Sequence, residues 1–428
     1  MAERMRSVDA AWLQMDRPTN AADVVALLTF DEPVPFPRLA AVVEDRLLAF
    51  ERFRQRVERR ALGGARWEPD WHFQLGHHLE RARLPGGGQR ALRDFVGNVA
   101  TEPLRADRPL WRLLAVEGYG PGSALVAKLH HCIGDGLALI SLLLSLTEPA
   151  GGEAGPLRFP ALGLPDLSLR ALRAALGDWR RVRELVRQGA GMAASLARMV
   201  TLPRAPDTPL RRPLSGLRRV AWSRGIPLPA LQRAAHARGA TLNDLLLAAL
   251  AGGLRGHLAA AGTAVGGLRL RALVPVNLRA PAEGRLGNRF GLVFVELPVG
   301  LATAEERLAA VHRRMDDLKA GPDAAVTYAV LSALGRLPAA AEIAINRFFA
   351  SKASMSVTNV PGPPAPLSLA GSRVGSIMFW VPHPSLLGLG VSILTYAGEL
   401  RLGVRADAAL VSDPGDLVER TERELEMG

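Results

Sequence analysis

The sequence predicts a mixed α/β protein of about two domains. Three observations lead there: helical and strand patterns alternate over residues 1–150, a glycine- and proline-rich segment interrupts them at 148–168, and regular patterns return from Leu214 onward. A chain of 428 residues also exceeds the usual size of one domain. The expected division is 1–150, a basic crossover at 151–215, and 216–428.

In the first part, Phe36–Ala49 reads as a helix, Trp111–Glu117 and Ser123–His131 as strands, and Leu137–Leu146 as an apolar helix. The segment EPAGGEAGPLRFPALGLPDLS then breaks all periodicity, as a linker does. Beyond it, Leu169, Leu172, Leu176, Trp179, Val182 and Val186 recur at three- and four-residue steps, which predicts an amphipathic helix. Its polar face is rich in arginine and suits either a solvated bridge between domains or contact with an anionic membrane. In IPLPALQRAAHARGATLNDLLLAALAGGLRGHL two helices follow, the second opening at Thr241–Asp244 on good capping residues. Strands are expected at Leu268–Val276, Gly291–Pro298 and Ser354–Asn359, and a last hairpin turns at Ala397–Gly398.

The formal charge is +12. Most of it is local, because residues 166–219 hold twelve arginines against Asp166, Asp178, Glu184 and Asp207. Aromatic residues make up only 5% and do not interleave with the basic runs, so the charge lacks the stacking platforms of a single-strand binder and no nucleic-acid partner is expected. The first twenty residues are charged throughout without an apolar run, so no signal peptide is expected. The longest apolar stretches, such as Leu245–Leu254, are about half the roughly 20 residues that span a bilayer. Cys132 is the single cysteine, which excludes an intrachain disulfide and a multi-cysteine zinc cluster. Cytoplasmic placement, with peripheral contact to a membrane or lipid droplet, is the resulting expectation.

No G-x-S-x-G elbow, H-E-x-x-H helix, Walker loop or G-x-G-x-x-G after a strand is present. The chemistry concentrates instead in LVAKLHHCIGDGLALISLLLSL, residues 125–146, where His130 and His131 close a strand and Asp135 lies between Gly134 and Gly136. Side chains alternate along a strand, so Leu125, Ala127, Leu129 and His131 share one face while Val126, Lys128 and His130 share the other. Two histidines that point apart do not chelate one metal, and no metal site is expected. An imidazole titrates near neutrality and suits general-base work. The alternative is a pair of structural histidines with Asp135 capping the next helix. Cys132 alternates away from His131 and reads as a small buried residue. His77 and His78 lack a following Asp-Gly and read as structural.

HHCIGDG resembles the HHxxxDG motif of CoA-dependent acyltransferases, a superfamily that includes chloramphenicol acetyltransferases and peptide-synthetase condensation domains. MDRPTN (15–20), PLWR (109–112), LND (242–244), VPVNLR (274–279), LGNRFG (286–291) and TNVPGP (358–363) occur in that order. The set resembles the bacterial wax ester synthase/diacylglycerol acyltransferase family over nearly the whole chain. Two departures are Cys132, where a smaller residue is usual, and ILTYAGEL in place of a serine-rich strand.

The resemblance implies two chloramphenicol-acetyltransferase-like subdomains forming a pseudo-dimer around a central channel, with acyl-CoA entering from one side and diacylglycerol or a long-chain alcohol from the other. It implies His131 as general base, Asp135 as the residue holding the motif loop, and His130 and Gly136 as supports. Asn243 and Asp244 would lie near the channel, with helix capping as the competing reading, and Asn288 or Asn359 would offer an amide to the developing oxyanion. No resident cofactor is implied, acyl-CoA being a co-substrate. Two rival functions stay open at this point: a same-fold enzyme for a carrier-bound or small-molecule substrate, and a non-catalytic lipid-binding or droplet-coating protein.

Overall fold

The computed structural model describes residues 3–17, 19–59, 64–150, 179–278, 290–319, 321–334, 339–383 and 386–427. The N-terminal half runs β1 (Glu3–Arg4), α1 (Ser7–Met15), β2 (Asp23–Phe30), α2 (Phe36–Val42), β3 (Gln55–Arg59), β4 (Ala65–Pro69), β5 (Leu79–Arg83), α3 (Gln89–Thr101), β6 (Trp111–Tyr119), β7 (Gly122–His130), α4 (Gly136–Ser145) and β8 (Glu148–Pro149). A helix at Trp179–Thr201 leads into the C-terminal half. There follow β9 (Arg218–Trp222), β10 (Ile226–Pro227), helices Leu228–Ala237 and Leu242–Ala260, β11 (Leu270–Asn277) and β12 (Phe290–Leu297). After helices Ala304–Lys319, Asp323–Leu334 and Ala339–Ala350 come β13 (Met355–Val360), β14 (Leu367–Leu369), β15 (Ser372–Trp380), β16 (Leu389–Tyr396), β17 (Glu399–Asp407) and a last helix, Pro414–Met427.

Two seven-stranded sheets form the halves. One has the order β5-β6-β7-β2-β15-β14-β8; the other is β10-β17-β16-β13-β11-β12, with β9 also on β17. The expected mixed α/β class is therefore present. The chain order hides one feature: β14 and β15, from the C-terminal region, complete the N-terminal sheet. Residues Val25–Leu28 of β2 pair with Ile377–Trp380 of β15, and Met378, Phe379 and Trp380 sit in the N-terminal core. The two halves exchange structure rather than merely touching.

The strand that ends at His130, β7, is central and buried along its whole length. It pairs with β2 and β6 at once, with Asp23 opposite His130 and Trp111 opposite Leu129. That double pairing explains a lysine in an otherwise apolar strand. Lys128 ends 3.1 Å from the Asp23 carboxylate, both side chains being about 2% exposed, and it donates to the Val99 carbonyl at 2.8 Å.

Sequence periodicity places most elements within two residues of their observed ends. Phe36–Ala49 is the exception: the α-helix stops at Val42 and continues as a wider π-type turn over Val43–Leu47. The basic helix is described from Trp179 to Thr201, so its expected start at Leu169 lies outside the described residues. The final hairpin does turn at Ala397–Gly398, both with positive φ of 49° and 82°, the geometry that matches the twist of flanking strands. Among the described residues no helix is long and apolar enough to cross a membrane.

Asp407, at the end of β17, anchors the start of the second half. Its fully buried carboxylate accepts from the amides of Ser215, Gly216 and Ala409, from the Ser215 hydroxyl at 2.7 Å, and from Arg218 at 3.1 Å. Burial works to raise its pKa, but these donors outweigh burial and hold it below the ordinary carboxylate value. The contribution to stability is thus present above the unfolded carboxyl value near pH 4 and is lost as pH falls further. Asp407→Ala is expected to destabilise by about 3–5 kcal/mol, since it leaves Arg218 buried without its anion. Asp407→Asn should flatten the acid-side decline of unfolding free energy measured in denaturant, and an unaltered pH profile would contradict the assignment.

Candidate active site

His130 and His131 leave the end of β7 into different surroundings. The His130 amide donates to the Leu110 carbonyl at 3.0 Å, which gives the PLW segment its role, and the His131 amide donates to the Ala22 carbonyl at 2.8 Å. The His130 Nδ1 accepts from the Cys132 amide at 3.1 Å, and its Nε2 lies 3.7 Å from Asp16 Oδ2. The other Asp16 oxygen accepts from the Ala22 amide at 3.0 Å. A ring of contacts therefore runs Asp16, Ala22, His131, Cys132, His130 and back to Asp16. It holds the peptide units on both sides of His131.

Burial of His130 opposes a positive charge, whereas Cys132 and Asp16 favour it, and the balance lies well above the ordinary imidazole value. The neutral ring, whose Nδ1 accepts from the Cys132 amide, carries its proton on Nε2 towards Asp16; protonation of Nδ1 would break the Cys132 contact. Burial would raise the Asp16 carboxyl, but its contact with His130 and the Ala22 amide keep it below the usual range. His130 is thus engaged as a buttress.

The His131 ring meets aromatic carbon. Trp12 of α1 covers it at 3.9 Å between ring centroids, tilted by 30°, and Phe290 of β12 approaches edge-on at 5.9 Å. Trp12 comes from the N-terminal half and Phe290 from the C-terminal half, so the imidazole lies at the seam between them. Trp12 and Met15 also line an apolar pocket of about 580 Å³, counting space open to solvent. Met199, Leu292, Phe294 and Phe349 also line it, with Thr327 and Asn346 as its polar members.

Asp135 is the N-cap of α4: its Oδ1 accepts from the Ala138 amide at 2.9 Å. Gly136 opens the helix under Val381, whose side chain lies 3.2 Å from where a Cβ would stand. Asp244 has the capping role that competed with a channel role. It and Thr241 form a reciprocal capping box, and its second partner is His312 at 2.9 Å. Asn243 and Asn359 meet each other at 3.4 Å, with Asn359 exposed. Asn288 lies outside the described residues. His78 is buried on Trp111 with its Nδ1 2.8 Å from the Trp111 carbonyl, a structural position. Among the described residues no three His, Cys, Asp or Glu side chains gather as a metal site.

Several site residues escaped the sequence reading: Trp12, Asp16, Asp23, Phe290 and Arg405. Arg405 is fully buried in β17 and donates to the Asp23 carbonyl at 2.8 Å. The MDRPTN segment offered a signal for Asp16, since an Asp and an Asn flanking a proline loop must bond something when buried. Asn20 of the same segment donates to the carbonyls of His383 and Leu387 and accepts from Arg218.

Two mixed sheets, a histidine pair at the end of a central strand and a pocket at their seam fit the class of CoA-dependent acyltransferases, whose HHxxxDG motif the sequence resembles. Comparison with known proteins agrees. Residues 5–246 match the wax ester synthase/diacylglycerol acyltransferase catalytic domain, and residues 286–427 match the WS/DGAT C-terminal domain. A probable diacylglycerol O-acyltransferase of Mycobacterium tuberculosis is 30% identical over 98% of this chain and 94% of its own. The wax ester synthase/diacylglycerol acyltransferase of Marinobacter aquaeolei shares the fold, with a TM-score of 0.71 at 22% identity, covering 99% of this chain and 98% of that one. The first condensation domain of the calcium-dependent antibiotic synthetase also shares it, with a TM-score of 0.63 at 16% identity over 100% of this chain and 95% of that one. The chain belongs to the wax ester synthase/diacylglycerol acyltransferase family and is an acyltransferase.

The contact ring makes a direct prediction. Asp16→Ala, which strands the Ala22 amide and the His130 ring, should cost about 1–3 kcal/mol in chemical denaturation and lower turnover. Asp16→Asn should recover much of the stability, because an amide oxygen can still accept from Ala22. Wild-type stability and turnover in Asp16→Ala would refute the clamp.

Proposed function

We propose that the protein transfers the acyl group of a long-chain acyl-CoA to the hydroxyl of diacylglycerol or a fatty alcohol, with His131 as general base. The observation that carries this reading is the position of His131, between Trp12 and Phe290 and beside an apolar pocket that Trp12 also lines. A hydroxyl is too weak an acid to attack a thioester unaided, and an imidazole near neutrality removes its proton as the bond forms. The acceptor oxygen adds to the thioester carbonyl, the carbon–sulfur bond breaks, and the imidazolium returns its proton to the CoA thiolate. Transfer is direct within a ternary complex, with no acyl-enzyme and no resident cofactor.

Asp135 acts at one remove in this scheme: it fixes the start of α4 and with it the loop after the histidines. Asn359 and Asn288 are the amides proposed for the developing oxyanion, with Asn243 in contact with Asn359. The pocket's nearly all-apolar lining favours an aliphatic chain over a small polar acceptor. Delivery of both lipids from a membrane or droplet surface completes the proposal.

Labelled palmitoyl-CoA offered against diacylglycerol, fatty alcohols and small amines, with products separated by thin-layer chromatography, tests the substrate class. Triacylglycerol or wax ester is the expected product; exclusive amide formation would contradict it. His131→Ala should lower kcat/KM by about 10²–10⁴-fold, while His130→Ala, which removes a buttress and not the reacting group, retains measurable turnover. The reverse order of effects would exclude His131 as the base.

A further inference from the structure

The pocket beside His131 is lined by apolar side chains except at Trp12, Thr327 and Asn346. Thr327 is already engaged: its hydroxyl accepts from the Leu292 amide at 2.7 Å and lies 2.8–3.1 Å from the carbonyls of Leu292, Asp323 and Ala324. Trp12 and Asn346 differ. The Trp12 Nε1 and the Asn346 Nδ2 are shielded from solvent, yet among the described residues neither has an acceptor. Trp12 belongs to α1, which packs on helix Ala339–Ala350, where Asn346 is found. Its indole also covers the His131 ring at 3.9 Å. Two unanswered donors therefore belong to residues that line one cavity next to the proposed base.

A buried N–H without an acceptor is costly, so such a group in a folded protein calls for a reason. Binding supplies one when a guest carries the missing oxygens into an apolar pocket. The substrates named above differ in what they offer. A fatty alcohol has one oxygen, and that is the nucleophile held at His131. The acyl group of the acyl-CoA has one carbonyl, and that is the centre under attack. A diacylglycerol brings a hydroxyl and two ester carbonyls besides. Of the three, only the diacylglycerol answers both donors while its hydroxyl stays at the base and its chains meet the apolar lining.

We propose that Trp12 and Asn346 are specificity-determining residues, which donate to the ester carbonyls of a diacylglycerol acceptor and so favour it over a fatty alcohol. This inference rests on the acyl-transfer reading above and narrows its acceptor. A hydrogen bond made to one substrate and unmade with another discriminates more sharply than apolar contact, because the second substrate leaves the donor stranded.

The test compares three acceptors, each with palmitoyl-CoA: dipalmitoylglycerol, its dihexadecyl ether analogue, which keeps the hydroxyl and both chains but lacks the carbonyls, and hexadecanol. The wild type should use the ester with a kcat/KM about tenfold or more above that of the ether. Asn346→Leu, close in volume but without a donor, should narrow that ratio by about tenfold and lower the ester-to-hexadecanol ratio in step. Trp12→Phe should narrow it too. Each ratio is internal to one protein, so a general fall in activity from a disturbed His131 leaves it unmoved. Equal use of ester and ether by the wild type overturns the inference, and so does a wild-type ratio in Asn346→Leu. Should Asn346→Leu lose its cooperative thermal transition, Trp12→Phe and the wild-type comparison decide. Wax ester without triacylglycerol overturns the inference and leaves the base reading standing, whereas no transfer to any hydroxyl overturns that reading and the inference with it.

Discussion

The buried ion pair between Lys128 and Asp23 fixes the register on which the site depends. Lys128 comes two residues before His130 on β7, and Asp23 opens β2 directly opposite His130. Arg405, from the other sheet, donates to the Asp23 carbonyl. Burial pushes the Lys128 pKa down while Asp23 pulls it back up, so the couple persists because each charge answers the other. Removing one partner of such a pair costs about 3–5 kcal/mol, whereas a one-residue slip of β7 would part the same charges and turn its side chains to the wrong faces. The position of His131 is thus specified electrostatically as well as by packing.

From that register the adjacent histidines acquire different work. His130 is enclosed by hydrogen-bonding groups from MDRPTN and from its own turn. His131 is enclosed by aromatic rings contributed by both halves. A base beside apolar rings is shielded from bulk water, a useful condition when the competing reaction is hydrolysis of the thioester. The neighbouring pocket extends the same apolar character towards the crossover helix. In the proposed function, catalysis and lipid handling therefore share walls.

Local pattern made the strands, the apolar helix after the motif, the Ala397–Gly398 turn and the capping residues at Thr241–Asp244 legible in the sequence, because each rests on neighbours in the chain. His130 and His131 do have different surroundings, although His131 lies one residue past the end of β7, where strand alternation no longer applies. Long-range partners were not legible. Asp16, Asp23 and Arg405 look like ordinary surface charges in composition, and only tertiary pairing engages Asp16 and buries the other two. The placement of β14 and β15 in the N-terminal sheet likewise depends on pairing across more than 300 positions of sequence, such as Phe379 with Ala26. Asp244 illustrates the converse, since its capping chemistry was readable but its bond to His312 was not.

The central claim is direct transfer governed by His131, with Cys132 buried as a bystander. It is tested most directly by intact-protein mass spectrometry after the enzyme is mixed with palmitoyl-CoA in the absence of an acceptor, followed by addition of a fatty alcohol. Direct transfer predicts an unmodified protein mass in the first step and release of CoA together with ester only in the second. A palmitoylated protein that forms before the acceptor is added, with the acyl group on the peptide containing His131 and Cys132 and consumed on adding the alcohol, would contradict it.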